Sequence, residues 1–246
     1  MAVTKSVPRL LENPHTLCPG CGHGIVFRLL AEVLEEEGYD QKTILTLGVG
    51  CCCNMNPPAW KGDVIQTAHG RAGATATGVK VGRPDLLSIA YQGDGDAYVI
   101  GLAETLNAAY RNEPITVITV LNNNFAMTGG QMSWTTMPGQ VTVTSPNGRD
   151  CDITGLPIKV PEIVASFENV NYVARGTTIS AAEINKLKKY IQTAVRNQIE
   201  GKGYSMVEVV SPCPTNWRKG VADCAAWMNE EVIPYYPLGE LKNNNK

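Results

Sequence analysis

Residues 86–124 read LLSIAYQGDGDAYVIGLAETLNAAYRNEPITVITVLNNN, and the fold that we predict rests on this stretch. Two apolar runs, residues 86–91 and 115–121, lie on either side of a segment with helical spacing, residues 97–110. A strand, a crossover helix and a second strand form the unit from which parallel sheets are built. The stretch therefore predicts two neighbouring parallel strands with a helix packed on one face of the sheet.

The same alternation continues on both sides of this unit. We predict helices over residues 22–37, 70–81, 160–167 and 181–200, and strands over residues 43–47, 172–174 and 205–210. Residues 123–150 carry many Gly, Ser, Thr, Pro and Asn without periodicity, which is typical of a functional loop. We expect a doubly wound α/β fold with a mostly parallel sheet.

Composition limits the classes of function that need to be considered. Hydrophobic residues make up 43% of the 246-residue chain, charged residues make up 18%, and the net charge is −2. This balance favours a globular protein and gives no reason to expect nucleic acid as a partner. No apolar run reaches the roughly 18–20 residues of a membrane span, and no signal peptide is evident, so we expect a cytoplasmic protein. We expect one domain over residues 1–246, with an N-terminal arm (1–17) and a C-terminal tail (212–246).

Polar residues follow both strands that are predicted within residues 86–124. Gly93-Asp94-Gly95 ends the first strand, and Asn122-Asn123-Asn124 follows the second. Because neighbouring parallel strands end at the same edge of a sheet, these two segments should meet there. Mg²⁺ prefers hard oxygen ligands, which Asp94 and Asn122 offer from their side chains and Asn124 from its carbonyl group. Gly93 and Gly95 allow the main chain to approach a phosphate, so the pattern predicts a magnesium and diphosphate site.

Eight cysteines suggest metal or redox chemistry, since disulfides are uncommon in a reducing compartment. Cys18-Pro19-Gly20-Cys21 is a two-spaced pair of the kind that holds zinc or an iron–sulfur cluster. Further thiolates come from Cys51 and Cys213, each of which follows a predicted strand. The residue types alone leave zinc, an iron–sulfur cluster and unliganded core cysteines as alternatives. We interpret Cys151 and Cys224 as buried or spare thiols.

Residues 86–124 and the segment that follows them resemble the corresponding part of a known protein family. Gly93-Asp94-Gly95, Val120 to Asn124 and Thr128-Gly129-Gly130-Gln131 resemble the thiamine diphosphate motif of 2-oxo acid:ferredoxin oxidoreductases, and the likeness to their β subunits covers nearly the whole chain. The resemblance implies the diphosphate-binding type of thiamine enzyme fold. It assigns Mg²⁺ to Asp94, Asn122 and Asn124, and it places residues 128–131 against the diphosphate.

The same resemblance implies roles for further residues. A [4Fe–4S] cluster would be held by Cys18, Cys21, Cys51 and Cys213. Cys52 and Cys53 depart from the family pattern, so that Cys52 could be the third ligand or could face the cofactor. Four other positions are interpreted as follows: His69 and Arg71 as catalytic candidates in a His-Gly-Arg segment close to the cofactor, Asp96 at a helix start beside the cofactor, and His23 behind the ligands or on the surface.

The resemblance implies an activity that several subunits share. The expected reaction is the coenzyme A-dependent oxidative decarboxylation of a 2-oxo acid, with electrons passed to ferredoxin. A branched-chain acid is our preferred substrate, with 2-oxoglutarate and pyruvate as alternatives. An α subunit should supply the carboxylate that activates the aminopyrimidine, because the length leaves no room for that domain, and γ and ferredoxin-like δ subunits should carry electrons outward. The alternatives are a non-redox thiamine decarboxylase subunit and a zinc-stabilised binding module.

Overall fold

The sheet of this protein is mostly parallel and lies between two layers of helices. The computed structural model describes residues 6–12, 15–55 and 59–245, with only the main chain at residue 55. The strands are β1 (Thr43–Leu47), β2 (Asp63–Gln66), β3 (Leu87–Gly93), β4 (Thr116–Leu121), β5 (Tyr172–Thr177), β6 (Ser205–Val210) and β7 (Gly239–Asn243). In this part of the chain they form one sheet in the order β2-β1-β3-β4-β6-β5-β7. Every pairing is parallel except that of β7 with β5.

The helices cover both faces of the sheet. They are α1 (His23–Glu36), α2 (Ala72–Gly82), α3 (Leu102–Tyr110), α4 (Cys151–Thr154), α5 (Val160–Ala165), α6 (Ala181–Ile199), α7 (Pro214–Trp217), α8 (Val221–Trp227) and α9 (Ile233–Tyr235). The helices α1 and α6 pack on one face, whereas α2, α3 and α5 pack on the other. This arrangement confirms the predicted doubly wound α/β fold.

Strand residues alternate between the two helix layers. Ile89 and Tyr91 of β3 join the core under α1 and α6, and Ala90 between them joins the core under α2 and α3. Because successive side chains of a strand point to opposite faces, a strand buried on both faces is apolar throughout. That requirement explains the continuous apolar runs from which β3 and β4 were predicted.

The helix predicted over residues 97–110 is wrong in one respect, because it is two pieces. A π-helical turn spans Gly95–Ile100, and α3 begins only after Gly101. The Gly101 N–H donates to the Asp96 carbonyl, five residues earlier, at 2.8 Å. A Cβ at Gly101 would lie 2.3 Å from the Gly70 carbonyl oxygen, so the chain is interrupted where it crosses the 69–71 loop.

The segment after β6 is more ordered than a tail. It forms α7, α8, a second π-helical turn (Met228–Val232) and α9, and it returns to the sheet as β7. Trp217, Met228, Val232 and Tyr236 from this segment pack against Leu121 at the end of β4. The segment therefore covers the edge of the sheet at which the parallel strands end. The predicted N-terminal arm is partly packed as well, since Leu10 and Leu17 are buried, whereas residues 1–5, 13 and 14 lie outside the described part of the chain.

Within the three described ranges, no helix has both the length and the apolar character needed to cross a bilayer.

Candidate active site

A cleft opens at the carboxyl edge of the sheet, where β3 and β4 end. Its lining includes His23, Cys51, His69, Asp94 and Asn122. Ligands of open α/β sheets bind outside the carboxyl ends of the strands, so this position is the one expected for a cofactor. The sheet order explains the convergence, because β3 lies between β1 and β4.

Asp94 follows β3 directly and is almost fully buried in the cleft wall. Its Oδ1 accepts a hydrogen bond from the Gly95 N–H at 3.0 Å, and its Oδ2 accepts one from the Asn123 N–H at 3.0 Å. The hydroxyl group of Thr135 also donates to Oδ2. Burial raises the pKa of Asp94 to about 7 against the opposing effect of these hydrogen bonds. A cation beside the carboxylate would favour its charged form.

Two asparagines complete a group of polar atoms around Asp94. One terminal atom of the Asn122 amide lies 3.2 Å from Asp94 Oδ1 and 2.9 Å from the Asn124 carbonyl oxygen. As nitrogen, this atom would donate to both neighbours; as oxygen, it would face two other oxygens. Nearby, Asn124 Oδ1 is buried and accepts no hydrogen bond from the described residues.

The oxygen arrangement fits Mg²⁺. Adjacent ligands of an octahedral Mg²⁺ with bonds of about 2.0–2.1 Å lie about 2.9 Å apart, close to the separations around Asn122. The set offers one carboxylate, one amide oxygen and one main-chain carbonyl group. In the described part of the chain, no group of three or more His, Cys, Asp or Glu side chains is arranged to hold a metal ion. A cation at this edge would therefore depend on the asparagines.

Asn123 and Thr135 support this arrangement, and sequence reasoning missed both roles. Asn123 adopts a left-handed conformation with φ 62°, which aims its N–H at Asp94. Asparagine tolerates this region better than most residues, so the Asn run carried a signal for such a turn. The Asn123 amide donates to the Thr135 carbonyl at 2.7 Å, which ties the strand end to the irregular loop.

The predicted diphosphate segment forms a tight loop at the mouth of the cleft. The Phe125 N–H donates to the Gln131 carbonyl at 2.9 Å and closes the loop. Gly129 and Gly130 have φ values of 112° and 88°, which explains the two consecutive glycines. Thr128 lines the cleft and is exposed, and its hydroxyl group donates to Gln131 Oε1 at 2.5 Å within the loop.

Asp96 and His69 form a pair in the wall of the cleft. Asp96 lies in the first turn after β3, and its carboxylate contacts His69 Nδ1. Arg71 does not share this position. Its guanidinium lies 3.1 Å from Glu104 Oε1 on α3, and it is absent from the cleft lining. The structure thus brings one of the two catalytic candidates to the cleft, and the role of Arg71 stays a prediction.

Three segments near the carboxyl edge of the sheet carry cysteines: the turn of residues 18–21, the loop after β1 and the segment after β6. The Cys21 N–H donates to the Cys18 carbonyl at 3.1 Å, and the Gly22 N–H donates to Ser211 Oγ at 3.1 Å. The second bond holds the Cys18–Cys21 turn against the segment that carries Cys213. Burial raises the pKa of Cys21 to about 11, and the Cys213 and Cys18 thiols add to the rise.

Cys51 lies in the loop after β1. Burial, together with the smaller effects of Cys21, Cys213 and Cys18, raises the pKa of the Cys51 thiol to about 12. In the described part of the chain these four thiols are not assembled into a metal-binding group, so a shared centre stays a prediction. Positive charge at such a centre would favour the thiolate form. Both an iron–sulfur cluster and zinc have this property.

The remaining cysteines lie elsewhere. Cys52 is in the core below α1, where its thiol donates to the Gly48 carbonyl at 3.0 Å, so it does not line the cleft. This burial argues against the suggestion that Cys52 faces the cofactor. Cys224 is buried within the C-terminal segment, where burial and the Cys213 thiol raise its pKa, and Cys151 begins the short helix α4.

His23 was expected either behind the cysteine ligands or at the surface, and the expectation of a surface position is wrong. It is only 1% exposed, it lines the cleft, and its Nδ1 lies 2.9 Å from the Tyr91 hydroxyl group. Burial lowers the pKa of His23 to about 4. The helical pattern of α1 could have indicated this, because His23 lies one turn before Val26 and Phe27 on the buried side.

Comparison with known proteins identifies the family. The profile described as "Thiamine pyrophosphate enzyme, C-terminal TPP binding domain" matches residues 48–209, which include the whole cleft edge from Gly48 to β6. The chain is 38% identical over 228 residues to Ketoisovalerate oxidoreductase subunit VorA of Methanothermobacter thermautotrophicus, covering 93% of this chain and 48% of that protein. It is 33% identical over 229 residues to 2-oxoglutarate synthase subunit KorB of Methanocaldococcus jannaschii, covering 89% of this chain and 79% of that one.

A third relative and a solved structure agree with these matches. The 2-oxoacid:ferredoxin oxidoreductase subunit beta of Sulfolobus sp is 32% identical over 201 residues, covering 80% of this chain and 62% of that protein. A 2-oxoglutarate:ferredoxin oxidoreductase from Magnetococcus marinus, solved with 2-oxoglutarate, coenzyme A and succinyl-CoA bound, superposes with a TM-score of 0.77 at 26% identity. That match covers 97% of this chain and 85% of the other.

The chain spans about half the length of the VorA relatives that it matches and about four fifths of the KorB relative from Methanocaldococcus jannaschii. The family profile covers more than half of the chain, and the cleft-lining residues other than His23 lie within the matched range. On the fold, the cleft geometry and these matches together, the chain belongs to the thiamine pyrophosphate enzymes and, among them, to the 2-oxo acid:ferredoxin oxidoreductases.

Proposed function

We propose that this chain is the β-type subunit of a 2-oxo acid:ferredoxin oxidoreductase and binds thiamine diphosphate through Mg²⁺ at the carboxyl edge of its sheet. The observation that carries the proposal is the close approach of three atoms, from Asp94, Asn122 and Asn124, in the cleft that Cys51 also lines. The family profile and the subunit relatives support the same assignment. We treat the chain as a single binding domain.

The proposed cofactor site uses residues from three loops. Asp94, Asn122 and the Asn124 carbonyl group would hold Mg²⁺, and the loop of residues 128–131 would lie against the diphosphate. The N–H groups at the start of the Gly95–Ile100 turn lie on the same side of the cleft and favour an anion there. When bound, thiamine diphosphate supplies a carbon nucleophile and an electron sink for the decarboxylation of a 2-oxo acid. The protein groups bind it, orient it and exclude water.

The proposed redox centre is a [4Fe–4S] cluster held by Cys18, Cys21, Cys51 and Cys213. Cys51 lines the cofactor cleft, so a cluster bound there would lie next to the thiamine site. The Cys21 sulfur accepts a hydrogen bond from the His23 N–H, and such bonds to ligand sulfurs tune the potential of a cluster. Zinc in place of iron would remove the redox part of the proposal.

The proposed reaction requires partner proteins. We propose an α subunit that supplies the pyrimidine-binding domain, γ and ferredoxin-like δ subunits that carry electrons, and ferredoxin as the final acceptor. The acyl group would pass to coenzyme A, a ligand of the related Magnetococcus marinus enzyme. A branched-chain 2-oxo acid is the preferred substrate, in line with the 38% identity to VorA subunits.

Cofactor binding tests the first part of this proposal. The purified chain should bind thiamine diphosphate only when Mg²⁺ is present, as measured by calorimetry. Asp94→Ala removes the one charged ligand, so the apparent affinity should fall by more than about 100-fold, beyond the loss that an outer-sphere contact causes. The control is Asp85→Ala, a carboxylate that is 60% exposed and paired with Arg83. Equal binding by the two variants would contradict the magnesium assignment.

Substrate choice is tested on the assembled complex. A panel of 2-oxo acids, assayed with coenzyme A and a viologen acceptor, should give its highest kcat/KM with a branched-chain acid. A clear preference for 2-oxoglutarate or pyruvate would overturn the substrate assignment while leaving the cofactor site intact.

A further inference from the structure

The contact between Asp96 and His69 is the strongest feature of the cleft that the magnesium and thiol sites do not use. Asp96 Oδ1 contacts His69 Nδ1, and Nδ1 is buried and makes no hydrogen bond of regular geometry to Asp96 or to any other group in the described ranges. The two ring nitrogens therefore have different surroundings. Nδ1 faces a carboxylate, whereas the ring itself lines the cleft and its side chain is 33% exposed.

Asp96 is held firmly enough to orient a neighbouring ring. Its Oδ1 accepts hydrogen bonds from the Gly70 N–H at 2.8 Å and the Val49 N–H at 3.0 Å. Its Oδ2 accepts one from Gln92 Nε2. The side chain also packs on Gly48, where an added Cβ would lie 2.2 Å from Oδ2. Asp96 thus connects the loops after β1 and β2 to the end of β3.

The position of the His69 ring is fixed from other directions too. Gly70 has φ 79°, and an added Cβ there would lie 2.7 Å from the Gly101 nitrogen, so the loop has little freedom beside His69. The His69 ring meets Phe125 edge to face, with ring centroids 6.2 Å apart. An aromatic contact on one side and a carboxylate on another leave Nε2 as the ring atom that can reach a ligand.

We propose that Asp96 is a positioning residue that fixes His69 as the tautomer with the proton on Nδ1, so that Nε2 presents a lone pair to the cleft. A carboxylate that accepts the Nδ1–H bond holds the ring in one tautomer and one orientation. This inference rests on the proposed function, because the proposed reaction is what would use the proton acceptor. It adds a role for Asp96 that neither magnesium nor diphosphate binding requires.

The step assigned to His69 is a reversible proton transfer. Nε2 takes a proton from an O–H or S–H group of a molecule in the cleft, and the ring becomes an imidazolium with both nitrogens protonated. The anionic Asp96 stabilises that cation across the Nδ1–H bond. The proton on Nε2 then returns to a basic atom in the cleft, and His69 regains its neutral form. No electrons are exchanged in this step.

Nitrogen NMR of the full chain tests the tautomer directly. The chain contains three histidines, His15, His23 and His69, so ¹⁵N-histidine labelling gives three ring systems. His15→Gln and His69→Gln assign the signals. In an alkaline buffer that keeps the rings neutral, His69 should carry its proton on Nδ1. A proton on Nε2 would overturn the proposal, and this measurement needs no variant at Asp96.

Two further variants separate orientation from packing. Asp96→Asn keeps the size of the side chain but weakens its hold on the Nδ1–H bond, so the Nε2–H form should become populated. The control is Gln92→Leu, which removes a different donor to Asp96 and should leave the tautomer of His69 unchanged. An unaltered tautomer in a folded Asp96→Asn protein would contradict the positioning role.

Kinetics of the assembled complex connect the pair to turnover. His69→Gln should lower kcat by about 10²–10⁴-fold, the range for a general acid–base group. Asp96→Asn should lower kcat with little change in KM, and the double variant should be no worse than His69→Gln alone, because the residues act as one unit. If the kcat losses of the two single variants multiplied in the double variant, the proposal would be overturned. If the complex lacked the oxidoreductase activity altogether, the NMR result would still decide the tautomer.

Discussion

The carboxylate of Asp94 has no free orientation. It is 1% exposed and receives hydrogen bonds from the Gly95 and Asn123 N–H groups and from Thr135. These donors fix the direction in which Asp94 presents its remaining lone pairs. Since the partners that orient a ligand contribute to metal affinity, the hydroxyl group of Thr135 should matter to magnesium binding although it is not itself a ligand.

Thr135→Val tests this supporting contact. The change keeps the shape of the side chain and removes its hydrogen bond to Asp94, so the apparent affinity for Mg²⁺ and thiamine diphosphate should fall by about 10–100-fold. Calorimetry on the purified chain measures the effect. Thr193→Val on α6, whose hydroxyl group donates to the Lys189 carbonyl at 3.0 Å and does not line the cleft, is the matched control. An affinity equal to that of the control would mean that the Thr135 contact does not orient Asp94.

At the scale of single residues, the sequence predicted the magnesium ligands better than the side chains that orient the groups of the site. Asp94 and Asn122 could be paired because each follows a strand with a strong β pattern, and parallel strands end together. Thr135 lies in an irregular loop, where no periodicity indicates which side chain turns inward. The Asp96–His69 contact was likewise invisible, because it depends on how the loop after β2 crosses the turn after β3.

Among the elements, the break between the Gly95–Ile100 turn and α3 determines how the loop of residues 69–71 reaches the cleft. Gly70 and Gly101 approach so closely that a Cβ on either would collide with main-chain atoms of the other segment. The contact fixes the loop that carries His69 against the turn that carries Asp96. A side chain at Gly101 should therefore strain both segments.

Gly101→Ala should lower the free energy of unfolding by about 1–3 kcal/mol, the usual cost of forcing extra atoms into a packed site. Gly78→Ala is the matched control, because Gly78 lies within α2 and an added Cβ there meets no atom within 4 Å. The Gly78→Ala control should raise the free energy of unfolding by about 0.4–1 kcal/mol. Urea denaturation followed by circular dichroism measures both. A neutral or stabilising Gly101→Ala would show that the crossing is looser than described.

The element predictions succeeded where packing and local pattern agree. Strands β1 and β6 have the predicted bounds, and α6 begins at the predicted residue 181, where Ser180 Oγ caps the helix by accepting from the Glu183 N–H at 3.3 Å. The continuous helix over residues 97–110 was wrong because its apolar spacing carries no information about the Gly70 crossing. The edge strands β2 and β7 were missed because they are short and largely polar.

In the whole molecule, the segment after β6 folds back across the carboxyl edge and completes the site. It carries Cys213, it is tied to the Cys18–Cys21 turn by the bond from the Gly22 N–H to Ser211 Oγ, and it donates the Trp217 Nε1–H to the Asn122 carbonyl at 3.0 Å. Sequence reasoning treated residues 212–246 as a tail, because its helices are short and its apolar residues face one region without a clear period. The packing of these short helices depends on where the edge of the sheet lies, which the sequence of residues 212–246 does not indicate.

Cys213→Ser tests the assignment of the thiols. The native chain, purified without oxygen, should be brown and contain about four iron atoms, as a [4Fe–4S] cluster requires. Cys213→Ser should lose iron and alter the EPR signal of the reduced cluster. Cys224→Ser, a buried cysteine of the same segment, should keep both. Native protein with one zinc and no iron would remove the redox centre from the proposal, and equal iron in both variants would exclude Cys213 as a ligand.

The magnesium position is the claim on which the rest of the function depends, and an anomalous diffraction measurement tests it most directly. Crystals of the full chain soaked with thiamine diphosphate and Mn²⁺, a stand-in for Mg²⁺, should show one strong manganese peak. We predict that the peak lies within bonding distance of Asp94 Oδ1, the Asn122 amide oxygen and the Asn124 carbonyl oxygen, with a diphosphate on its far side. A peak bound elsewhere, or a cofactor bound without metal at these three oxygens, would contradict the account.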